Sequence, residues 1–336
     1  MNLQNLPTVS IIIPSRNEES NLPFCLKSLE KIDYPKEKLE IILGNDNSDD
    51  ATPKLLQAFA NQYSHVRYIN IPKAEENETL KAKTRALNFL IKESTGDFLF
   101  FSDADIELPA GWIKAMLKNL EPNVGVMVGV TAFRNTDFLN AMQGTEWLMA
   151  LTMMKVFSDY KIPTTGMGNN MMVSRKAYEA VGGYEKIGFS IVEDYALYQA
   201  IIAKGFDFKH VFEPEIVAYT RPPLNFLEQR KRWIKGALES KSWLIVLGLS
   251  QAFYLPVFIL LAIYSPILLG ITNCILFLFY FFIVLFFEKK LALKGYLRWL
   301  PVFLIYMPVT WFVQYFVFLF SKKLDWKGQN FETKIS

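Results

Sequence analysis

From Ser242 to Phe287 the chain runs 46 residues without one charged side chain. A run of that length has to be buried or surrounded by lipid, and crossing a bilayer takes roughly 20 apolar helical residues. The stretch therefore predicts two membrane-spanning helices, near 244–265 and 267–287, with Pro256 and Pro266 as kinks or at the turn between them. A third apolar stretch runs from Trp299 to Phe320, after a short basic loop that carries Lys289, Lys290, Lys294 and Arg298. If the N-terminal half is cytoplasmic, two crossings return that loop to the cytoplasm, as positive-inside reasoning expects. A third crossing would leave the basic tail outside, unless one stretch lies in plane or re-enters. Two and three passes both stay open.

The remaining residues divide accordingly: 1–241 as a soluble domain with nearly all the acids, 242–321 as the membrane region, and 322–336 as a polar tail. The first residues carry neither the basic start nor the apolar core of a secretion signal, which predicts a cytoplasmic domain on a multi-pass membrane protein. A net charge of +3 with no basic stripe argues against a nucleic-acid partner. Cys25 and Cys274 fall in different halves, which speaks against a disulfide framework or a cysteine metal site. His65 and His210 are far apart and read as structural rather than as zinc ligands.

Within the soluble half, apolar runs at Val9–Pro14, Leu39–Gly44, Val66–Ile71 and Phe98–Phe101 read as buried strands. Helices are expected from Asn21 to about Leu29, Thr52 to about Gln62, and Ala82 to Glu93. Such alternation predicts an α/β architecture with a mostly parallel sheet. Ligands bind such sheets beyond the carboxyl ends of the strands. The loops Ser15–Glu19, Asn45–Asp50 and Asp103–Asp105 should therefore gather at one edge. No glycine-rich phosphate loop follows the first strand, which weakens a dinucleotide dehydrogenase reading. Val124 to Phe133 reads as one further strand, and Phe138 to Phe157 as an amphipathic helix rich in methionine. Those methionines suit an adaptable core or a surface that takes lipid.

Two acidic pairs carry the chemistry. Asp103 and Asp105 are spaced i, i+2 at the end of the fourth strand, where strand alternation would point both the same way. Two hard oxygen ligands of that kind suit Mg²⁺ or Mn²⁺; the plain alternative is a surface turn. Glu193 and Asp194 open a helix running to about Lys204, where acids favour the helix dipole whether or not they have a further role. A carboxylate there could also take a proton from a hydroxyl. Farther on, Gln229, Arg232 and Trp233 share one helix face. An arginine fork suits a diphosphate and an indole suits a sugar, although arginine and tryptophan are also expected beside a membrane.

Val9–Asn17, the loop Asn45–Thr52, Asp103-Ala104-Asp105, Glu193-Asp194 after Gly182-Gly183-Tyr184, and Gln229-Arg230-Lys231-Arg232-Trp233 stand in this order. Together they resemble glycosyltransferase family 2, the group of cellulose, hyaluronan and ceramide-glucosyl transferases, over roughly residues 8–240. The resemblance implies a GT-A fold followed by transmembrane helices. It implies that Asp46 contacts uracil or another base, and that Asp103 and Asp105 handle ribose, diphosphate and metal. It further implies that Lys83 approaches the nucleotide, Asp194 is the general base, and Gly166 to Arg175 lies on the acceptor side. Where the family often has paired aspartates after the second strand, the first here is Asn45.

The expectation is an inverting, metal-dependent transferase that moves a sugar from a UDP-sugar donor to a lipid or lipid-linked saccharide. A processive polysaccharide synthase is the nearest rival, but three apolar elements are few for a channel. A haloacid-dehalogenase-type phosphohydrolase would need Thr or Ser where Glu107 stands. A polyprenyl-phosphate sugar synthase would not need Gln229–Trp233, and a non-catalytic nucleotide-binding protein would not need to keep Asp105, Asp194 and Arg232.

Overall fold

The apolar runs assemble into a sheet in the computed structural model, which describes residues 6–75, 77–134, 137–221, 226–239, 250–320, 323–326 and 329–332. The chain order begins β1 (Val9–Ser15), α1 (Leu22–Leu29), β2 (Leu39–Asn45), α2 (Thr52–Ala60), β3 (Val66–Asn70), α3 (Ala82–Lys92) and β4 (Phe98–Phe101). It continues with β5 (Ile106–Glu107), α4 (Trp112–Lys118), β6 (Val124–Val128), β7 (Thr131–Phe133), α5 (Phe138–Asp159), β8 (Met171–Ser174), α6 (Arg175–Ala180) and α7 (Gly183–Ile187). Then come α8 (Glu193–Ala203), β9 (Asp207–His210), β10 (Ala218–Thr220) and α9 (Phe226–Glu239). The chain forms two compact units, Met1–Ala132 with Met154–Thr220, and Phe133–Met153 with Arg221–Ser336. In this division residues 133–153 group with the C-terminal part.

In the first unit a seven-stranded sheet runs β3-β2-β1-β4-β8-β6-β9. The first four strands are mutually parallel, in the register Ser15↔Asn45 and Ile12↔Phe101. Only β8 opposes its neighbours β4 and β6. Ile11, Ile13, Ile41, Leu43 and Phe100 pack on Leu22, Cys25 and Leu26 of α1 in one buried cluster. Each such aliphatic side chain contributes roughly 1.5–3 kcal/mol on burial, so the sheet edge that carries the loops is held rigidly.

The apolar stretch Val124–Phe133 is two strands rather than one. It breaks at Gly129, where a Cβ would come within 2.2 Å of Asn170 Oδ1. Asn170 is fully buried and its side chain joins three elements: its amide donates to Val130 O and Ile216 O, both at 2.9 Å, and its Oδ1 accepts from Trp112 Nε1 at 2.8 Å. The chain past the break joins the small sheet β5-β10-β7.

Among the described residues the second unit contains α9, the apolar helices α10 (Tyr254–Tyr264), α11 (Pro266–Lys290) and α12 (Leu300–Phe320), and a hairpin of β11 (Lys323–Trp326) with β12 (Gln329–Glu332). The hairpin replaces part of what reads from sequence as a plain tail. Helices Pro266–Lys290 and Leu297–Phe320 are long and apolar enough to cross a membrane. Their surfaces expose Ile267, Phe282, Ile305 and Phe320, as contact with lipid would require. Where a first crossing was expected near 244–265, the apolar helix described is Gln251–Tyr264, shorter than a spanning helix; residues 244–249 of that expectation lie outside the described residues. Ser265 ends it and caps α11, its hydroxyl accepting from Leu268 N, with Pro266 in the first turn.

Candidate active site

The loops after β1 and β2 are stitched to one another. Asn17 N donates to Ser48 Oγ at 3.0 Å and Asp49 N to Asn17 Oδ1 at 2.9 Å. Glu18 N donates to Thr52 Oγ1 at 2.8 Å and Ala51 N to Glu19 Oε2 at 2.9 Å. Asp46 follows β2, its N–H held by Ser15 O at 2.8 Å. Its Oδ1 accepts from Asn47 Nδ2 at 3.2 Å and lies 3.9 Å from the Arg85 guanidinium. Arg85 is buried and also donates to Glu78 Oε2 at 2.6 Å and to Pro72 O at 2.7 Å. It therefore ties Pro72 and Glu78 to the base of the Asp46 loop. Asn45 is buried, its amide donating to Asn70 Oδ1 on β3 at 2.6 Å and its Oδ1 accepting from Ser48 N of the loop at 3.2 Å.

The third loop does not follow the strand alternation expected for its two carboxylates. β4 stops at Phe101, and Asp103 to Asp105 form a turn in which Asp103 O accepts from Ile106 N at 3.2 Å. What brings Asp103 into the site is α3. Lys83 Nζ lies 2.6 Å from Asp103 Oδ1 and 2.9 Å from Glu193 Oε1. One ammonium thus bridges the Asp-Ala-Asp turn and the start of α8, 90 residues later in the chain. Burial works against the Lys83 charge, but Asp103, Glu193 and Asp194 outweigh it and raise its pKa above the ordinary lysine value.

Asp194 stands in the first turn of α8 beside buried Glu193. Its Oδ2 accepts from Gly168 N at 2.7 Å and its Oδ1 from Tyr195 N at 2.8 Å. Gly166 and Gly168 let their strand of chain press onto this residue: a Cβ at Gly166 would sit 2.7 Å from Asp194 O, and at Gly168 3.0 Å from Asp194 Cβ. Burial, then the neighbouring Glu193 charge, pushes the Asp194 carboxyl up to about 6, against the pull of Lys83 and the two N–H groups. A carboxylate so tuned is a stronger base than an exposed one.

Below the Asp-Ala-Asp turn, Cys25 Sγ approaches Asp103 O at 3.8 Å. Burial first, then the charges of Asp105, Asp103, Glu18 and Glu107, drive its thiol well above the ordinary range. The turn therefore carries an excess of negative potential. Among the described residues no group of three or more His, Cys, Asp or Glu is arranged to hold a metal alone. Asp103 and Asp105 nonetheless fit Mg²⁺ or Mn²⁺, which bind through one or two carboxylates and complete their shells with phosphate and water.

The first unit thus brings together Lys83, Asp103, Glu193 and Asp194, with Asp46 held by Arg85. Gln229, Arg232 and Trp233 lie on α9 of the second unit. On the same helix their neighbour Arg230 is buried and paired with Glu146 Oε2 at 2.8 Å.

A family model described as glycosyl transferase family 2 matches residues 10–182, and one described as glycosyl transferase family group 2 matches residues 100–319. A probable glycosyltransferase, YdaM of Bacillus subtilis, is 27% identical over 98% of this chain and 78% of its own length. A beta-monoglucosyldiacylglycerol synthase of Synechocystis is 26% identical over 69% of this chain, which spans 48% of that relative. Among solved structures, the mannosyltransferase PcManGT of Pyrobaculum calidifontis, in complex with GDP-Man and Mn²⁺, superposes with a TM-score of 0.61 at 19% identity. That match covers 95% of this chain and 88% of the other, and it establishes the shared fold.

Proposed function

The chain belongs to glycosyltransferase family 2 and carries its GT-A-like fold, and on that premise we propose that it moves a hexose from a nucleotide-diphosphate sugar to a hydroxyl of a lipid or lipid-linked saccharide at a membrane. One observation carries the reading: Lys83 joins Asp103 to Glu193, so that the elements expected to hold the donor and to activate the acceptor converge in one half-buried site. The acceptor hydroxyl must lose its proton as it attacks the anomeric carbon. Asp194 takes that proton, its carboxylate aimed by Gly168 N and kept basic by burial. Direct attack of the hydroxyl so activated would invert the anomeric carbon. Glu193 orients Lys83. Asp46 faces the base of the donor, with UDP the favoured nucleotide, and Arg85 fixes the loop that carries it.

Asp103 and Asp105 would hold the divalent cation. Once bound, that ion supplies neutralisation of the departing diphosphate. Arg232 adds a guanidinium suited to the same leaving group, and Gln229 and Trp233 stand with it on one helix face. α11 and α12, long and apolar enough to cross a membrane, support association with one. The name of the Synechocystis relative, a diacylglycerol glucolipid synthase, supports a lipid acceptor. That of PcManGT, with GDP-Man and Mn²⁺, supports a nucleotide donor and a metal.

The test is a panel of radiolabelled UDP- and GDP-sugars given to detergent-solubilised protein with total membrane lipid, with and without EDTA. Metal-dependent appearance of one labelled lipid is expected. Label that enters long polymer, or release of nucleoside diphosphate with no labelled lipid for any donor, would overturn the reading.

A further inference from the structure

Regular secondary structure does not hold the segment that aims the Asp194 carboxylate. Residues 162–167 belong to neither a helix nor a strand, yet Gly168 N lies 2.7 Å from Asp194 Oδ2. Such a segment keeps its place through bonds to its neighbours, and it has two anchors. At its C-terminal end, Asn170 is bonded to Trp112, Val130 and Ile216 and donates from its own N to Met167 O at 2.9 Å. Thr131 Oγ1 donates to Asn169 Oδ1 beside it at 3.0 Å. At the N-terminal end the anchor is one side chain: His210 Nε2 lies 3.0 Å from Thr165 O.

The sheet sets both anchors at one level. Val128, the last residue of β6, is the register partner of Met171 on β8 and of His210 on β9. The residues from Thr165 to Asn170 are thus strung across the end of β6, from His210 to the start of β8. Along that crossing Gly166 presses on α8: a Cβ there would sit 2.7 Å from Asp194 O and 3.2 Å from Tyr198 Cβ. The Tyr198 ring stacks on the buried imidazole, with centroids 5.9 Å apart and planes within 7° of parallel. That stacking fixes the plane in which Nε2 points at the carbonyl.

A carbonyl can only accept, so Nε2 carries the proton. Nδ1 is then a bare acceptor, and it finds no hydrogen-bond partner among the described residues. Burial pushes the His210 pKa down to about 4, which keeps the ring uncharged at neutral pH. What His210 supplies is therefore a fixed donor rather than a charge.

We propose that His210 is a positioning residue for sugar transfer: by donating from Nε2 to Thr165 O it fixes the segment whose Gly168 N–H aims the Asp194 carboxylate. This rests on the reading of Asp194 as the base and extends it to a residue that reads from sequence as structural.

The experiment uses the full chain in detergent, with the donor and lipid that the wild type turns over. His210→Phe keeps an aromatic ring beside Tyr198 and removes the donor, whereas His210→Gln keeps an N–H at the reach of Nε2. His210→Phe should lower kcat about tenfold or more, with the donor dissociation constant held within about twofold. His210→Gln should restore most of the rate. In a Gly168→Ala background, His210→Phe should cost less than about twofold further, because the N–H it serves is already displaced. An unchanged kcat in His210→Phe, equal losses in the Phe and Gln variants, or the full loss repeated in the Gly168→Ala background would overturn the proposal. The bond is also read without replacing His210. The chain has two histidines, so ¹⁵N-histidine NMR at neutral pH, assigned with His65→Gln, should show His210 neutral and protonated on Nε2. A proton on Nδ1, or on both nitrogens, would overturn the proposal even if His210→Phe failed to fold. A wild type that transfers sugar beside an unaffected His210→Phe sinks this proposal alone. A wild type that transfers to no acceptor sinks the transferase reading itself.

Discussion

Replacing Lys83 by methionine keeps the length of the side chain and removes its charge. At 2.6 Å from Asp103 and 2.9 Å from Glu193, each attraction is about 6 kcal/mol at an effective dielectric of about 20. Desolvation of the ammonium returns much of this. Removing one partner of a buried pair still costs about 3 kcal/mol, because the carboxylates are left uncompensated. For a unit of this size that corresponds to a fall of about 6–12 °C in the melting temperature, read by thermal unfolding in detergent. The same variant has a second signature. Lys83 lowers the pKa of Asp194 against the upward push of burial and Glu193. In Lys83→Met the acid limb of the pH profile of kcat/KM should therefore move to higher pH than the wild-type limb near 6. A melting temperature within 2 °C of wild type together with an unmoved acid limb would refute the idea that Lys83 ties the two acidic pairs together.

Two further consequences concern Asp194. Its folded pKa, raised to about 6 from 3.8, means that the folded state binds the proton more tightly than the unfolded chain. The charged form therefore weighs on stability increasingly as pH rises through about 4 to 6. Asp194→Asn should melt higher than wild type at pH 7.5 and lose that advantage by pH 3.5; equal melting at both pH values would contradict it. Gly168→Ala puts a methyl group 3.0 Å from Asp194 Cβ and displaces the N–H that aims the carboxylate. Turnover should fall about tenfold or more with the donor affinity kept, measured by steady-state kinetics beside donor titration.

Much of the sheet was legible because β1, β2 and β4 are continuous apolar runs ended by polar loops. The rule that such loops meet beyond the strand ends then brought Asp46 and Asp103 to one edge. The helix boundary at Ser265-Pro266 was equally plain, since proline fits the first turn of a helix. The break at Gly129 was not, because it depends on Asn170, 41 residues on, filling the space of a side chain. Strand alternation is not what places Asp103 and Asp105, because β4 ends at Phe101 and both residues sit in the turn that follows. The bridge from Lys83 to Glu193 has no local signature: it is a contact between two helices far apart in sequence, set by packing.

The most direct measurement is the rate of sugar transfer by Asp194→Asn at saturating donor and lipid, with donor affinity measured in parallel. A base that takes the acceptor proton contributes about 10²–10⁴-fold. Transfer should fall by that factor while the donor dissociation constant stays within about threefold. Transfer at near wild-type rate would show that another group takes the proton and that the tuning of Asp194 serves something else.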